Sequence, residues 1–243
     1  MFKETYIESP IIVLAGGFGT RLRSIVNVPK IIAPINNKTF LYYFLNNLQE
    51  QGFKNVILSL HYKSDLIIDQ IKEYKFKFKI SSIVEDVPLG TGGAIINIIK
   101  KLDLKKTFYV INGDTWLSQN MSQMEFYNTP CIGLVRVKNN LRYGSVKTQG
   151  LKIINFEEKN NHFQSNWINS GLYKFKYKDF PYMSNIKNLS LEKEIIPFMV
   201  KKKNISGIKM KSDFYDIGIP SDYNNFSKYI QKRFKYNNYV KSA

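Results

Sequence analysis

The chain contains very little cysteine and histidine. Its 243 residues include one cysteine, Cys131, and two histidines, His61 and His162. A single cysteine excludes a disulfide framework and a thiolate metal site, and it fits a reducing cytoplasm. We interpret Cys131, in the apolar run CIGLV, as a buried core residue. Both histidines are interpreted as structural or surface residues.

Long apolar segments are also lacking. No run approaches the roughly 20 residues needed to cross a bilayer, and the N-terminal segment MFKETYIES lacks the apolar centre of a secretory signal. We therefore expect a cytoplasmic protein without integral membrane association. Linkers, internal repeats and low-complexity tracts are absent as well, which favours one domain over residues 1–243.

Acidic residues are scarce relative to basic ones. The chain has 36 lysines and arginines against 19 aspartates and glutamates, a formal net charge of +17. Such a surplus raises nucleic-acid binding as a hypothesis. Because the lysines are spread over the whole chain, however, the pattern indicates compositional bias and solvated faces. We expect attraction of small anions and no nucleic-acid partner.

The order of strand and helix signals predicts an α/β fold. Strands are predicted at 11–15, 55–60, 79–84 and 107–111, separated by helices at 40–51, 64–74 and 92–102. This alternation implies right-handed crossovers and a mostly parallel sheet. Later strand signals at 131–137, 144–147, 152–156 and 167–175 predict an antiparallel extension of the same sheet. A helix at 191–200, a strand at 205–210 and a final helix complete the prediction.

A glycine-rich loop follows the first strand. The run IIVLA leads directly into GGFGTR, residues 16–21, and Lys30 follows Pro29. Glycines at this position let backbone amides approach and bind an anion, while Arg21 and Lys30 suit phosphate. The loop lacks the Gly-Lys-Ser/Thr of a Walker motif and the third glycine of a dinucleotide fingerprint. The alternative is a plain turn with two surface cations.

Three carboxylates lie in positions that favour a site. Glu85 and Asp114 follow predicted strands, and Asp216 lies in the apolar segment FYDIGIP. Ligands of parallel sheets bind beyond the carboxyl ends of the strands, so we expect Gly16, Gly17, Glu85 and Asp114 to converge on one edge. Asp114 and Asp216 are hard ligands suited to Mg²⁺. For Asp216 a helix cap or a turn is the alternative.

Two further segments carry groups suited to substrate binding. The loop EDVPLGTGGA, residues 85–94, contains three glycines and is interpreted as backbone that lies against a flat base. The segments FEEK and WINSGLY contain Lys159, which suits a phosphate, and Glu158 and Asn169, which suit sugar hydroxyls. Alone, each segment is equally compatible with a turn or with surface charge.

Taken together, the motifs resemble a known family. The ordered set AGGFGTRL, PK, PLGTGGA, NGD, RYG, FEEK, INSGLY and DIGIP, over about residues 10–225, is similar to the sugar-1-phosphate nucleotidyltransferases. The LGTGGAI loop and the EEK–INSGLY spacing most resemble the branch of D-glycero-α-D-manno-heptose 1-phosphate guanylyltransferases of bacterial surface-polysaccharide synthesis. The resemblance implies that an NTP and a sugar 1-phosphate give an NDP-sugar and pyrophosphate.

The resemblance also implies a Rossmann-like three-layer α/β/α fold with a mixed, mostly parallel sheet. Within it, about 8–115 form a nucleotide-binding half, 116–225 a sugar-phosphate-binding half, and 220–243 a C-terminal helix. The nucleotide-binding residues it implies are Ala15, Gly16, Gly17, Gly19, Thr20, Arg21, Glu85, Gly90 and Thr91. The sugar-phosphate-binding residues it implies are Asn112, Gly144, Glu158, Lys159 and Asn169.

For catalysis the resemblance implies Arg21, Lys30 and Asp114, with Asp114 and Asp216 holding Mg²⁺. One departure concerns Ile31, because the family commonly has a stiffening proline after this lysine. The sequence leaves open a uridylyl-, cytidylyl- or thymidylyltransferase acting on a hexose or amino sugar 1-phosphate. It also leaves open a catalytically silent nucleotide-sugar sensor or partner subunit, and whether the chain forms a homo-oligomer.

Overall fold

A computed structural model describes residues 6–137, 142–157, 165–180, 186–202 and 204–240, with the side chains of 234–240 excepted. The strands are β1 (Ile11–Leu14), β2 (Pro34–Ile35), β3 (Lys38–Thr39), β4 (Asn55–Leu60), β5 (Lys79–Val84), β6 (Thr107–Asn112), β7 (Thr115–Leu117), β8 (Cys131–Arg136), β9 (Ser145–Gln149), β10 (Lys152–Glu157), β11 (Trp167–Lys176), β12 (Ser206–Lys209) and β13 (Phe214–Asp216). The α-helices are α1 (Phe40–Glu50), α2 (Ser64–Glu73), α3 (Gly90–Leu102), α4 (Ile196–Lys201) and α5 (Pro220–Val240).

A mixed nine-stranded sheet runs through both predicted halves, in the order β5-β4-β1-β6-β11-β8-β12-β10-β9. Strands β5, β4, β1 and β6 are parallel, as the alternation of strands and helices predicts. Strand β11 is antiparallel to both β6 and β8, and β10 is antiparallel to β9 and β12. The expected antiparallel extension is therefore confirmed, with β12 added parallel to β8 on its far side. Among the described residues, four strand pairings of this sheet are parallel and five are antiparallel, so the expectation of a mostly parallel sheet is wrong.

Helices cover both faces of the sheet because its central strands are apolar on both sides. In β1, Ile11 and Val13 belong to the core beneath α1 and α5, while Ile12 belongs to the core beneath α3 and α4. Full burial on both faces produces the continuous apolar run IIVL. Cys131 is buried in the first of these cores, and burial raises the pKa of its thiol to about 12. Cys131 is therefore a core residue, as expected.

Short elements with distant partners were not predicted. Strand β13 pairs with β7 in a separate two-stranded ladder, and β2 pairs with β3 in another. The predicted helix at 191–200 begins as a π-helical turn, Leu191–Ile195, before α4. Short 3₁₀ turns lie at Thr20–Leu22, Lys30–Ile32, Met121–Phe126 and Tyr177–Asp179. Among the described residues no helix is both long and apolar enough to cross a membrane.

The first turn of α3 is covered by residues 186–190, which we call the covering segment. Gly92 and Gly93 donate backbone hydrogen bonds to the Leu189 carbonyl, at 2.9 and 3.3 Å. A methyl group at Gly93 would lie 2.0 Å from the Ile186 carbonyl oxygen, and one at Gly90 would lie 2.5 Å from the Leu189 oxygen. The interpretation of this loop as backbone lying against a base is therefore wrong for Gly92 and Gly93, whereas Gly90 also lines the cavity described below. The chain's own backbone occupies that space.

We expect Gly93→Ala to destabilise the protein because its methyl group displaces the covering segment. The loss should be about 1–3 kcal/mol in the free energy of unfolding, which is several degrees in Tm for a chain of this size. Thermal unfolding measures it. Gly17→Ala is the matched control, since a methyl group there meets no atom within 4 Å. Equal Tm values for the two variants would contradict the close approach.

Candidate active site

A cavity of about 560 Å³ opens at the edge of the sheet where β1, β4 and β6 end. Gly16, Gly17, Glu85 and Asp114 all line it. The predicted convergence of residues that follow parallel strands is thus confirmed, and it follows from the parallel register of β4, β1 and β6.

Most of the remaining predicted site residues lie in the same cavity. They are Ala15, Arg21, Lys30, Gly90, Thr91, Asn112, Gly144, Asn169 and Asp216. Gly19 and Thr20 are not part of this lining in the described portion of the chain. Glu158, Lys159 and His162 lie outside the described residues.

Gly19 shapes the glycine-rich loop so that Lys30 reaches the cavity. It adopts a left-handed conformation, with φ of +62°, directly before the 3₁₀ turn Thr20–Leu22. A methyl group at Gly19 would lie 2.9 Å from Lys30 Cγ. Glycine is needed here both for the backbone conformation and for the passage of the lysine side chain.

Lys30 is held in place although Ile31 stands where the resemblance implies a proline. It begins a 3₁₀ turn closed by hydrogen bonds from Ile32 N to the Pro29 carbonyl and from Ala33 N to the Lys30 carbonyl, both 3.0 Å. Ile31 is 3% exposed and packs in the core beside α1. A buried isoleucine therefore fixes the backbone at this position in place of a restricted proline ring.

The two candidate metal-binding carboxylates are brought together by the β7–β13 ladder. Asp216 pairs in register with Thr115, the residue after Asp114. Ile217 N also donates a 3.0 Å hydrogen bond to the Asp114 carbonyl. Because these strands have only three residues each, the contact between Asp114 and Asp216 depends on tertiary structure rather than on local sequence.

Two cations balance these carboxylates unequally. Burial acts to raise the pKa of Asp114, but its ion pair with Lys30 and the nearby Arg21 outweigh that effect, so the pKa lies below its ordinary value. For Asp216, burial and the charge of Asp114 raise the pKa, against a 2.8 Å hydrogen bond from Gly218 N and the charges of Lys30 and Arg21. Within one cavity the pKa of Asp114 is thus lowered and that of Asp216 is raised.

The donor set fits a divalent cation that is shared with substrate. No cluster of three or more His, Cys, Asp or Glu side chains suited to a metal exists among the described residues. Mg²⁺ is often held by one or two carboxylates together with substrate phosphates and water, and Asp114 and Asp216 offer two carboxylates of this kind. The raised pKa of Asp216 is relieved by a nearby positive charge, which is consistent with that role.

Glu85 organises the loop that leads to α3. Its carboxylate accepts hydrogen bonds from the Ser59 hydroxyl at 2.8 Å and from Leu89 N at 3.1 Å. Its carbonyl oxygen accepts from His61 Nδ1 at 2.9 Å. His61 also lines the cavity. It therefore supports the loop at Glu85 from a position next to the candidate site.

The opposite wall of the cavity is built on an irregular part of β11. Between Asn169 and Tyr173 this strand has two residues more than the facing part of β8, because Asn169 pairs with Leu134 and Tyr173 with Ile132. Gly171 lies within this bulge, with φ of +74°. Bulges of this kind redirect side chains near active sites. Here the bulge lets Asn169 Nδ2 donate a 2.7 Å hydrogen bond to the Tyr173 hydroxyl.

Sequence reasoning missed several polar residues of this wall. Arg142 lines the cavity and forms an ion pair with Asp222 in the first turn of α5. Ser190 reaches the cavity from the covering segment, and Glu192 reaches it from the π-helical turn. Arg142 lies in the motif RYG, so its position in the cavity wall could have been predicted from the sequence. Glu192 carried no local signal, because SLEKE has the pattern of an exposed helix start.

Comparison with known proteins decides the family. Residues 10–233 match the family model described as Nucleotidyl transferase. The chain belongs to the nucleotidyl transferase family. This nucleotidyl transferase is 37% identical over 219 residues to the D-glycero-alpha-D-manno-heptose 1-phosphate guanylyltransferase of Campylobacter jejuni, covering 88% of this chain and 97% of that protein. The corresponding protein of Aneurinibacillus thermoaerophilus is 36% identical, covering 90% and 97%.

Solved structures agree with this membership. The crystal structure of HddC from Yersinia pseudotuberculosis superposes with a TM-score of 0.81 at 35% identity, covering 91% of this chain and 99% of that one. The same protein complexed with GMP-PN gives a TM-score of 0.79. A UDP-glucose pyrophosphorylase complexed with UDP-glucose, at 20% identity and a TM-score of 0.77, shares the fold. The chain is therefore a nucleotidyltransferase enzyme with an α/β nucleotidyltransferase fold.

We expect Asp114→Asn and Asp216→Asn to change the stability of the ligand-free protein in opposite directions. The lowered pKa of Asp114 means that its charge stabilises the fold above its ordinary pKa, and this is lost as pH falls through the lowered value. Asp114→Asn should cost about 1–3 kcal/mol at pH 7, because Lys30 loses its partner. The raised pKa of Asp216 means that its ionisation destabilises the fold as pH rises through that value, so Asp216→Asn should gain about 1 kcal/mol.

Thermal unfolding at pH 7 in a metal chelator measures both changes. Asp69→Asn, on the exposed face of α2, is the control and should leave Tm unchanged. A lower Tm for both site variants would contradict the unequal charge balance.

Proposed function

We propose that this enzyme transfers GMP from GTP to a sugar 1-phosphate, most specifically D-glycero-α-D-manno-heptose 1-phosphate, and releases pyrophosphate. The observation that carries the proposal is the single cavity in which Arg21 and Lys30 face Asp114 and Asp216 beside a glycine-rich loop. The choice of guanine and heptose is supported by two relatives at 37% and 36% identity. In this proposal residues 1–243 act as one domain in the cytoplasm.

The nucleotide is assigned to the side of the cavity formed by the loops after β1 and β5. There Ala15, Gly16 and Gly17 offer backbone against the triphosphate, with Arg21 as a planar charged donor. Gly19 and Thr20 complete the loop that carries Arg21. Glu85, Gly90 and Thr91 line this side of the cavity and are proposed to face the base. The GMP-PN complex of HddC, at TM-score 0.79, is consistent with a guanine nucleotide here.

The sugar 1-phosphate is assigned to the wall formed by β6, β9 and β11. Asn169 and Gly144 line the cavity. Asn112 lines the same wall and is proposed to belong to this subsite. Glu158 and Lys159 are proposed to complete this subsite, with Lys159 at the sugar phosphate.

The chemistry needs no covalent enzyme intermediate. An oxygen of the sugar phosphate attacks the α-phosphorus of GTP, a new phosphorus–oxygen bond forms, and the bond from the α-phosphorus to the bridging oxygen breaks to release pyrophosphate. That nucleophile is already an anion, so a general base is unnecessary. The protein must instead hold two polyanions in line and neutralise charge as it develops, which Lys30 and Arg21 are placed to do.

Asp114 and Asp216 are proposed to hold Mg²⁺. A bound Mg²⁺ would supply positive charge to the phosphate oxygens of the substrates. The residues of the chain have a separate task, because Lys30 and Arg21 orient the phosphates and the β7–β13 ladder fixes the distance between the two carboxylates. Arg142, paired with Asp222, adds a further cation on the sugar side.

The first test measures pyrophosphate release with Mg²⁺ from GTP, CTP, UTP, dTTP and ATP, each with heptose, mannose and glucose 1-phosphates. We expect the highest kcat/KM for GTP with the heptose. A clear preference for another pair would overturn the substrate assignment and retain the reaction class. Nucleotide binding without turnover with any sugar would favour a silent nucleotide-sugar sensor.

We expect Lys30→Met to reduce kcat/KM by about a hundredfold or more, because it removes a charge that is aimed at the reacting phosphates. Lys72→Met, at an exposed lysine of α2, is the control and should retain full activity. Steady-state kinetics with both substrates varied separates binding from turnover. Near-normal kcat/KM for Lys30→Met would remove this lysine from the catalytic group.

A further inference from the structure

Glu192 connects two walls of the cavity through hydrogen bonds. It lies in the π-helical turn after the covering segment and lines the cavity. Its Oε2 accepts a 2.8 Å hydrogen bond from the Thr91 hydroxyl at the start of α3. Its Oε1 accepts a 3.2 Å hydrogen bond from the Tyr173 hydroxyl on β11. One carboxylate therefore joins the nucleotide side to the sugar side.

The carboxylate determines the direction of the hydrogen bonds that reach Asn169. An ionised glutamate only accepts hydrogen bonds, so the Tyr173 hydroxyl must donate its proton to Glu192. The phenol oxygen then accepts from Asn169 Nδ2 at 2.7 Å, which turns Asn169 Oδ1 towards Gly171 N at 3.0 Å. The fully buried Tyr173 ring gives this series of bonds a fixed position.

The second carboxylate oxygen of Glu192 is held by the Thr91 hydroxyl. Leu191 N donates to the Thr91 hydroxyl oxygen at 2.8 Å. With its oxygen engaged in that way, the hydroxyl donates to Glu192. A residue at position 192 must therefore accept from Thr91 to preserve this anchor.

From these contacts we infer that Glu192 is a positioning residue for the sugar subsite. By accepting a hydrogen bond from Tyr173, Glu192 fixes the orientation of the Asn169 amide. We infer that the sugar 1-phosphate binds to the amide in this orientation. The inference rests on the proposed function, since it takes Asn169 as a sugar-binding residue.

Glu192→Gln tests the direction of the hydrogen bonds with little change in size. The single amide oxygen of glutamine is retained by Thr91, so the amide nitrogen faces Tyr173 and donates to it, which reverses the bonds as far as Asn169. We expect the KM for the sugar 1-phosphate to rise about tenfold, while the KM for the NTP stays within about twofold. Glu194→Gln is the matched control, because Glu194 is exposed on the same turn and its contact with Ser190 N needs only an acceptor.

Tyr173→Phe removes the hydroxyl that relays the effect. It should also raise the KM for the sugar 1-phosphate, and the double variant Glu192→Gln/Tyr173→Phe should be no worse than the poorer single variant, because both act through one series of bonds. Calorimetric titration of each variant with the sugar 1-phosphate, and separately with a non-hydrolysable GTP analogue, provides a readout that does not need turnover. Thermal unfolding reports any general loss of structure.

The outcomes separate this inference from the proposed function. A selective loss of sugar 1-phosphate affinity in Glu192→Gln, with an unchanged Tm and a non-additive double variant, supports the positioning role. An active wild type in which Glu192→Gln behaves like Glu194→Gln, or loses both affinities together with Tm, overturns the inference alone. A wild type without turnover or sugar 1-phosphate binding overturns both.

Discussion

The ion pair between Lys30 and Asp114 joins two segments that lie 84 residues apart in the chain. It determines how charge is distributed in the rest of the site. Lys30 approaches because Gly19 leaves room for its side chain, and Asp114 is placed by the end of β6 and by the β7–β13 ladder. Once this pair forms, Asp216 is the less compensated of the two site carboxylates. The charged side chains of the cavity are therefore concentrated on one edge of the sheet.

The parallel half of the fold was predictable because its signals are local. An apolar run ended by glycine or by a polar residue specifies a buried strand, and helical periodicity between such runs specifies the crossover. The β7–β13 ladder was not predictable, since two strands of three residues carry no period of their own. The bulge in β11 was equally hidden, because the segment INSGLY has no pattern that separates a regular strand from an irregular one.

The candidate site was predictable where its residues follow strand ends, and Gly16, Arg21 and Asp114 are of this kind. Prediction was less successful for glycines, because a glycine indicates that another group comes close to the backbone but does not indicate whether that group is a ligand or the protein itself. Gly92 and Gly93 are close to the covering segment, not to a base. Glu192 is the opposite case, because a glutamate at a helix start is ordinary and only the tertiary fold brings it to Thr91 and Tyr173.

The bulge in β11 has a consequence for how this enzyme changes during evolution. Residues of the nucleotide side lie mainly in loops, where substitutions disturb few backbone hydrogen bonds. Asn169 and Tyr173 instead lie within a central strand whose pairing with β8 depends on the extra residues between them. Insertion or deletion there would shift the register and turn core side chains outward. Under the proposed assignment of the two subsites, acceptance of a new sugar is therefore constrained by the folding of the sheet, whereas acceptance of a new nucleotide is constrained chiefly by binding.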